Sequence, residues 1–102
     1  MHKYKVNSKN TSVDGTSLMG HVTTTYSKLV ELFGEPKGGS ADGKTTCEWV
    51  LEFENGVVGT IYDWKTGSTP KELFDWSIGG HSYKILLLLQ EVMNTETKIC
   101  KF

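Results

Sequence analysis

The sequence predicts an α+β domain: a mainly antiparallel sheet with two helices on one face, in the order β-α-β-β-β-α. Three observations carry that prediction. Asn55-Gly56 separates two runs of alternating apolar and polar residues, the strongest short signal for a β-hairpin. Two other segments have helical spacing instead: Tyr26, Leu29, Val30 and Phe33, and then a leucine-rich stretch beginning at Ile85. The chain is 102 residues long and 37% hydrophobic, which suits a single domain over residues 1–102 with one core.

The elements follow in order. Residues 1–15 are polar, with a weak alternation of Tyr4 and Val6 before a turn at Asp14-Gly15; they read as a short edge strand or a loose arm. Residues 16–24 are rich in β-branched side chains, with Leu18 and Val22 spaced for a strand and Gly20 marking a bulge. The period then changes to that of a helix from Tyr26 to Phe33. Thr24 or Thr25 offers a capping oxygen, Gly34 the left-handed stop, and Pro36 forbids continuation. Residues 37–44 (KGGSADGK) read as a flexible loop.

Cys47, Trp49, Leu51 and Phe53 alternate with Thr46, Glu48, Val50 and Glu52, a half-buried strand, and Val57 to Trp64 returns beside it. Two registers are open. A two-residue turn places Val58, Thr60, Tyr62 and Trp64 beside Trp49 and Phe53. A three-residue loop of Glu54, Asn55 and Gly56 places Val57, Gly59 and Ile61 there instead. The second gives the drier core and leaves Val50, Val58, Thr60, Tyr62 and Trp64 on the opposite face.

Residues 65–71 form a turn, and Leu73 to Gly79 a further strand. Ser82 can cap a second helix from Tyr83 to about Asn94. Ile85, Leu86, Leu88, Leu89, Val92 and Met93 span an arc wide enough to lie across a sheet. Tyr83 and Leu87 fall off that arc as an i, i+4 pair. The tail, residues 97–102, alternates weakly and offers one more edge strand. The expected core joins Trp49, Leu51, Phe53, Leu29, Phe33, Ile85 and Leu89.

Composition narrows the chemistry. Eleven lysines against twelve acids leave a net charge of −1, no footprint for duplex nucleic acid. Arginine is absent, which removes planar, bidentate recognition of phosphate. Cys47 and Cys100 make no disulfide framework; the first reads as buried, the second as incidental. The first residues lack the apolar core of a signal peptide, and the run from Ile85 to Leu89 is too short to span a membrane. A reducing cytoplasm is the expected compartment, and the sequon at Asn10 has no meaning there. His2, His21 and His81 are scattered, so neither a metal nor a cofactor is expected. Glu48, Glu52 and Asp63 read as a solvated sheet face paired with lysines. No acid, base and nucleophile set is legible, so the expectation is a binding protein rather than an enzyme.

Two features point to binding. At Gly79, Gly80, His81 and Ser82 a strand runs into two glycines and then a helix, a place where free backbone N–H groups would hold an anion, helped by Lys84. Tyr62 and Trp64 beside Lys65 offer rings on which a base would stack. Together they would take a small phosphorylated nucleotide. Tyr83 and Leu87 form a separate apolar patch that predicts a homo-oligomer.

The stretch from Thr25 to Pro36 (TYSKLVELFGEP) is continued by Glu48-Trp49, Asn55-Gly56, Thr60 to Lys65 (TIYDWK) and Trp76 to Gly80 (WSIGG). This pattern, over roughly residues 15–82, resembles small accessory proteins of tailed bacteriophages. The resemblance implies a viral protein made in the host cytoplasm. It further implies a role against a bacterial defence, through occupying a host defence protein or sequestering its nucleotide signal. The alternative is a structural or assembly accessory protein of the virion. The resemblance assigns no functional residues.

Overall fold

Residues 3–94 and 96–102 are described by a computed structural model; His2 lies outside them. In chain order the elements are β1 (Tyr4–Val6), β2 (Ser17–Thr24), α1 (Tyr26–Phe33), β3 (Lys37–Gly38), β4 (Cys47–Phe53), β5 (Val58–Tyr62), β6 (Phe74–Gly80), α2 (Lys84–Met93) and β7 (Lys98–Lys101). The sheet runs β1-β4-β5-β6-β2-β7 with every pairing antiparallel, and β3 lies beside the start of β4. The α+β class and the helices on one face are as the sequence predicts. The polar N-terminal segment and the tail each supply an edge strand. Residues 37–44 are not loop throughout, because Lys37 and Gly38 pair with Glu48 and Cys47.

The hairpin decides the rest. Gly56, at φ +83°, donates its N–H to the Phe53 carbonyl at 2.9 Å, and the Phe53 N–H meets Val57 O at 2.9 Å. The loop is therefore the three-residue one, since only glycine takes that φ without strain. Trp49 then faces Ile61, and Leu51 faces Gly59. All seven residues of the expected core are buried in one cluster with Val22, Trp76 and Ile78. Cys47 belongs to it as well, where burial pushes its thiol pKa up.

The helices begin and end for local reasons. The Thr25 side chain accepts the Lys28 N–H at 3.2 Å, and the Gly34 N–H closes α1 on Val30 O at 2.8 Å. Helix α2 starts at Lys84, one residue later than the Tyr83 start expected after a Ser82 cap. Ser82 Oγ accepts the Lys84 N–H at 3.2 Å. This helix lies so close to the sheet that a Cβ on Gly59 would sit 2.3 Å from Ile85, and one on Gly80 would sit 3.0 Å from it. The register shift expected at Gly20 is present between Leu18 and Gly20 of β2.

The connection from β1 to β2 crosses the face that the helices leave free. Asn7 accepts the Val50 N–H through its side chain at 2.8 Å, and Thr11 donates to Glu52 at 2.6 Å. Val50 is thereby buried although it points away from the helices. Among the described residues no helix is long and apolar enough to cross a membrane.

Candidate functional site: a groove on the helix-free face

Strand pairing lines up a row of side chains across this face: Lys37, Glu48, Tyr62, Ser77, His21 and Cys100, one from each of β3, β4, β5, β6, β2 and β7. Beside that row lies a depression of about 370 Å³. Its floor is Glu48, Thr60, Tyr62 and Gly79. The β1–β2 crossover walls one side with Val13, Thr16 and Ser17, the segment Gly38 to Ser40 with Thr45 walls another, and Trp64 stands at the mouth. Trp64 also borders a second hollow of about 360 Å³ that reaches His21, Asp75 and Cys100.

Trp64 is 49% exposed, yet its backbone is firmly held. The residue before it, Asp63, is fully buried and accepts hydrogen bonds from Thr46 N at 2.7 Å, Thr46 Oγ1 at 2.6 Å, Thr66 Oγ1 at 2.5 Å and Cys47 N at 3.3 Å. Burial alone would raise the Asp63 pKa; the four donors outweigh it and hold the carboxyl below its ordinary value. The residue after it, Lys65, takes a left-handed φ of 55° and donates its N–H to Lys44 O at 2.7 Å. The indole between these anchors meets the Tyr62 ring edge-on, with centroids 6.3 Å apart. Lys44 Nζ lies 5.9 Å and Lys65 Nζ 5.6 Å from the Trp64 ring, so two cations flank it.

The three carboxylates expected on one solvated face have separate fates. Asp63 is a buried anchor, Glu52 is tied to Thr11, and Glu48 is half-buried at the floor of the groove. Desolvation raises the Glu48 pKa, against a lowering by Lys37 across the strands. The Tyr62 hydroxyl is likewise pushed up, by burial first and by Glu48 second.

The groove gathers Tyr62, Trp64 and Gly79 from the predicted site; Lys65 does not line it but lies beside the Trp64 ring, and Lys37 is the lysine in its lining. The other members are elsewhere. Gly79 and Gly80 lie within β6, paired with Thr60 and Gly59 on one side and with Leu18 and Ser17 on the other. They are ladder residues, not a free backbone nest at a helix start. Gly80 faces α2, and a Cβ added at Gly15 would come within 3.7 Å of His81. Ser82, Lys84, Tyr83 and Leu87 border a different hollow, of about 510 Å³, between α2 and β7. Tyr83 and Leu87 are 43% and 68% exposed, and Lys101 Nζ lies 4.2 Å from the Tyr83 ring. Sequence reasoning passed over the walls of the groove and, on its floor, Glu48 and Thr60. Their signal was present, since both share strand parity with Tyr62.

No protein-family model, curated protein or solved structure matches the chain.

Proposed function

We propose that the protein is a non-enzymatic phage binding protein that works in the host cytoplasm and antagonises a bacterial defence by sequestering a small phosphorylated nucleotide. The viral and anti-defence part of this reading rests on the sequence resemblance. One observation carries the ligand part: the groove beside Trp64 combines aromatic rings, a wall on either side and Lys37 in its lining, with Lys44 and Lys65 beside the Trp64 ring. The groove's volume of about 370 Å³ fits the range of small-ligand sites, roughly 300–1,000 Å³. The base stacks on Trp64 or Tyr62, worth about 1–3 kcal/mol. Lys44 and Lys65 meet the phosphate as point charges, in a chain that has no arginine to grip it as a fork. The anion contacts therefore come from these lysines, not from the backbone of Gly79 to Ser82.

The test is calorimetric titration with linear and cyclic nucleotides. Wild type binds at least one of them, and Trp64→Ala weakens that binding about tenfold, the loss of one stacking contact. Trp64 is half exposed, so the variant keeps its fold. A wild-type protein that binds none of these nucleotides rejects sequestration in favour of a host defence protein as partner.

The α2–β7 hollow favours a second copy of the chain as its occupant. Tyr83 and Leu87 are exposed beside Ile99 of β7, which among the described residues is an edge strand paired with β2, and closed pairs are the usual way to cover such a patch. Sedimentation at micromolar concentration should give about twice the 11.4 kDa chain mass, falling toward one chain in Leu87→Glu. A wild-type mass of one chain rejects the dimer.

A further inference from the structure

We propose that the groove selects guanine nucleotides, with the Glu48 carboxylate reading the base. This rests on the nucleotide reading above and adds which base is taken.

Glu48 is the unusual group on this face. Its neighbours on and just before β4 have their polar needs met: Glu52 accepts from Thr11, and Cys47 and Thr46 donate to Asp63. Among the described residues, no hydrogen bond or ion pair occupies the Glu48 carboxylate, although the side chain is half-buried at the groove floor. Lys37 lies across the ladder on one side and Tyr62 on the other. The Glu48 oxygens stay open to solvent in the groove, where partial burial moves the pKa up against the lowering by Lys37. A ligand that brings donors to this carboxylate takes the place of that water.

The geometry of a carboxylate then picks the ligand. An ionised carboxylate accepts only, through two oxygens side by side. Guanine presents two adjacent donors on its Watson–Crick edge, the ring N1–H and the exocyclic N2–H₂, which match those oxygens as a charge-assisted pair. Adenine offers one exocyclic amino group beside a ring nitrogen that itself accepts, so its edge sets a lone pair against a carboxylate oxygen. Uracil offers one donor between two carbonyls. Glu48 and Tyr62 are cross-strand neighbours and Trp64 stands edge-on to Tyr62, so ring face and carboxylate address one base together. The phosphate then points outward, toward Lys44 and Lys65, which flank Trp64.

The experiment compares guanosine 5′-monophosphate with adenosine 5′-monophosphate by calorimetric titration, on wild type and on Glu48→Gln. Wild type is expected to bind the guanine nucleotide at least about tenfold more tightly, the value of one good paired contact, and Glu48→Gln to lose most of that preference. Equal wild-type affinity for the two overturns guanine selection while leaving the nucleotide reading intact. Persistence of the preference in a folded Glu48→Gln protein overturns the role of Glu48. Absence of binding by either nucleotide to wild type overturns this inference, and sequestration falls with it if the cyclic nucleotides also fail. Should the variant not fold, the wild-type comparison still decides on selection, and Glu48→Asp, which keeps the charge but withdraws it by one methylene, decides on the residue: an unchanged preference there counts against it.

Discussion

Trp49→Ala lowers the stability by about 3–5 kcal/mol, the cost of removing a large aromatic from a packed core. Trp49 is fully buried at the centre of the helix-facing side of the sheet. Its ring meets Trp76 edge-on at 5.7 Å and Tyr26 at 5.8 Å, and its Nε1–H donates to Gly34 O at 2.8 Å, tying β4 to the end of α1. Truncation removes all of these at once and leaves the last carbonyl of the helix turn without its donor. Urea denaturation checks it through a lowered midpoint with an unchanged slope. A midpoint equal to wild type would mean that the indole does not lie in the core.

Asp63→Ala is expected to cost about 3 kcal/mol, as buried donors lose a charged acceptor. The Thr46 and Cys47 amides and the Thr46 and Thr66 hydroxyls all point at this carboxylate. Its pKa in the folded protein is depressed, so its contribution is complete above the unfolded value of about 4. That contribution is lost as the pH falls through the folded value, because the unfolded chain then binds the proton more readily. Melts of wild type and Asp63→Asn should accordingly lie furthest apart near neutral pH and converge below about pH 4. A gap that stays constant across that range contradicts the ionised anchor. The same variant should loosen Trp64, whose position depends on Asp63 before it and on the Lys65–Lys44 bond after it.

Much of this architecture is legible because burial imposes a period. The three-residue hairpin loop is the drier of the two registers the sequence leaves open, setting Val57, Gly59 and Ile61 on the face of Trp49 and Phe53. The Phe53–Val57 hydrogen bond selects it. The caps of α1 follow from single residues, Thr25 and Gly34. Asp63 was misread because a carboxylate in a hairpin suggests solvent. Its parity with Ile61 placed it on the buried side, and threonines at 46, 66 and 69 surround it in the fold. The glycine pair was misread for a related reason. Gly-Gly signals a turn when the chain is read locally, whereas here the strand continues through Gly80 and the missing Cβ atoms make room, at Gly80 for α2 and at Gly79 for the Thr60 hydroxyl.

The groove was the least legible part. Tyr62 and Trp64 announce themselves as aromatics on the face away from the helices. The walls do not, because the crossover residues Val13, Thr16 and Ser17 carry no period that assigns them to that face. Glu48 looks like any exposed strand carboxylate until the crossover and the segment around Ser40 half-bury it. Sequence therefore located the rings of the site but not the cavity beside them.

The central claim is that a nucleotide binds on the helix-free face, against Trp64 and over Glu48. A map of ¹H–¹⁵N chemical-shift changes on titration with guanosine 5′-monophosphate tests it residue by residue. The account predicts the largest changes at Glu48, Thr60, Tyr62, Gly79 and the Trp64 indole, with residues 82–90 of the second helix unmoved. Changes centred on Ser82 to Gln90, or none at millimolar nucleotide, would contradict it.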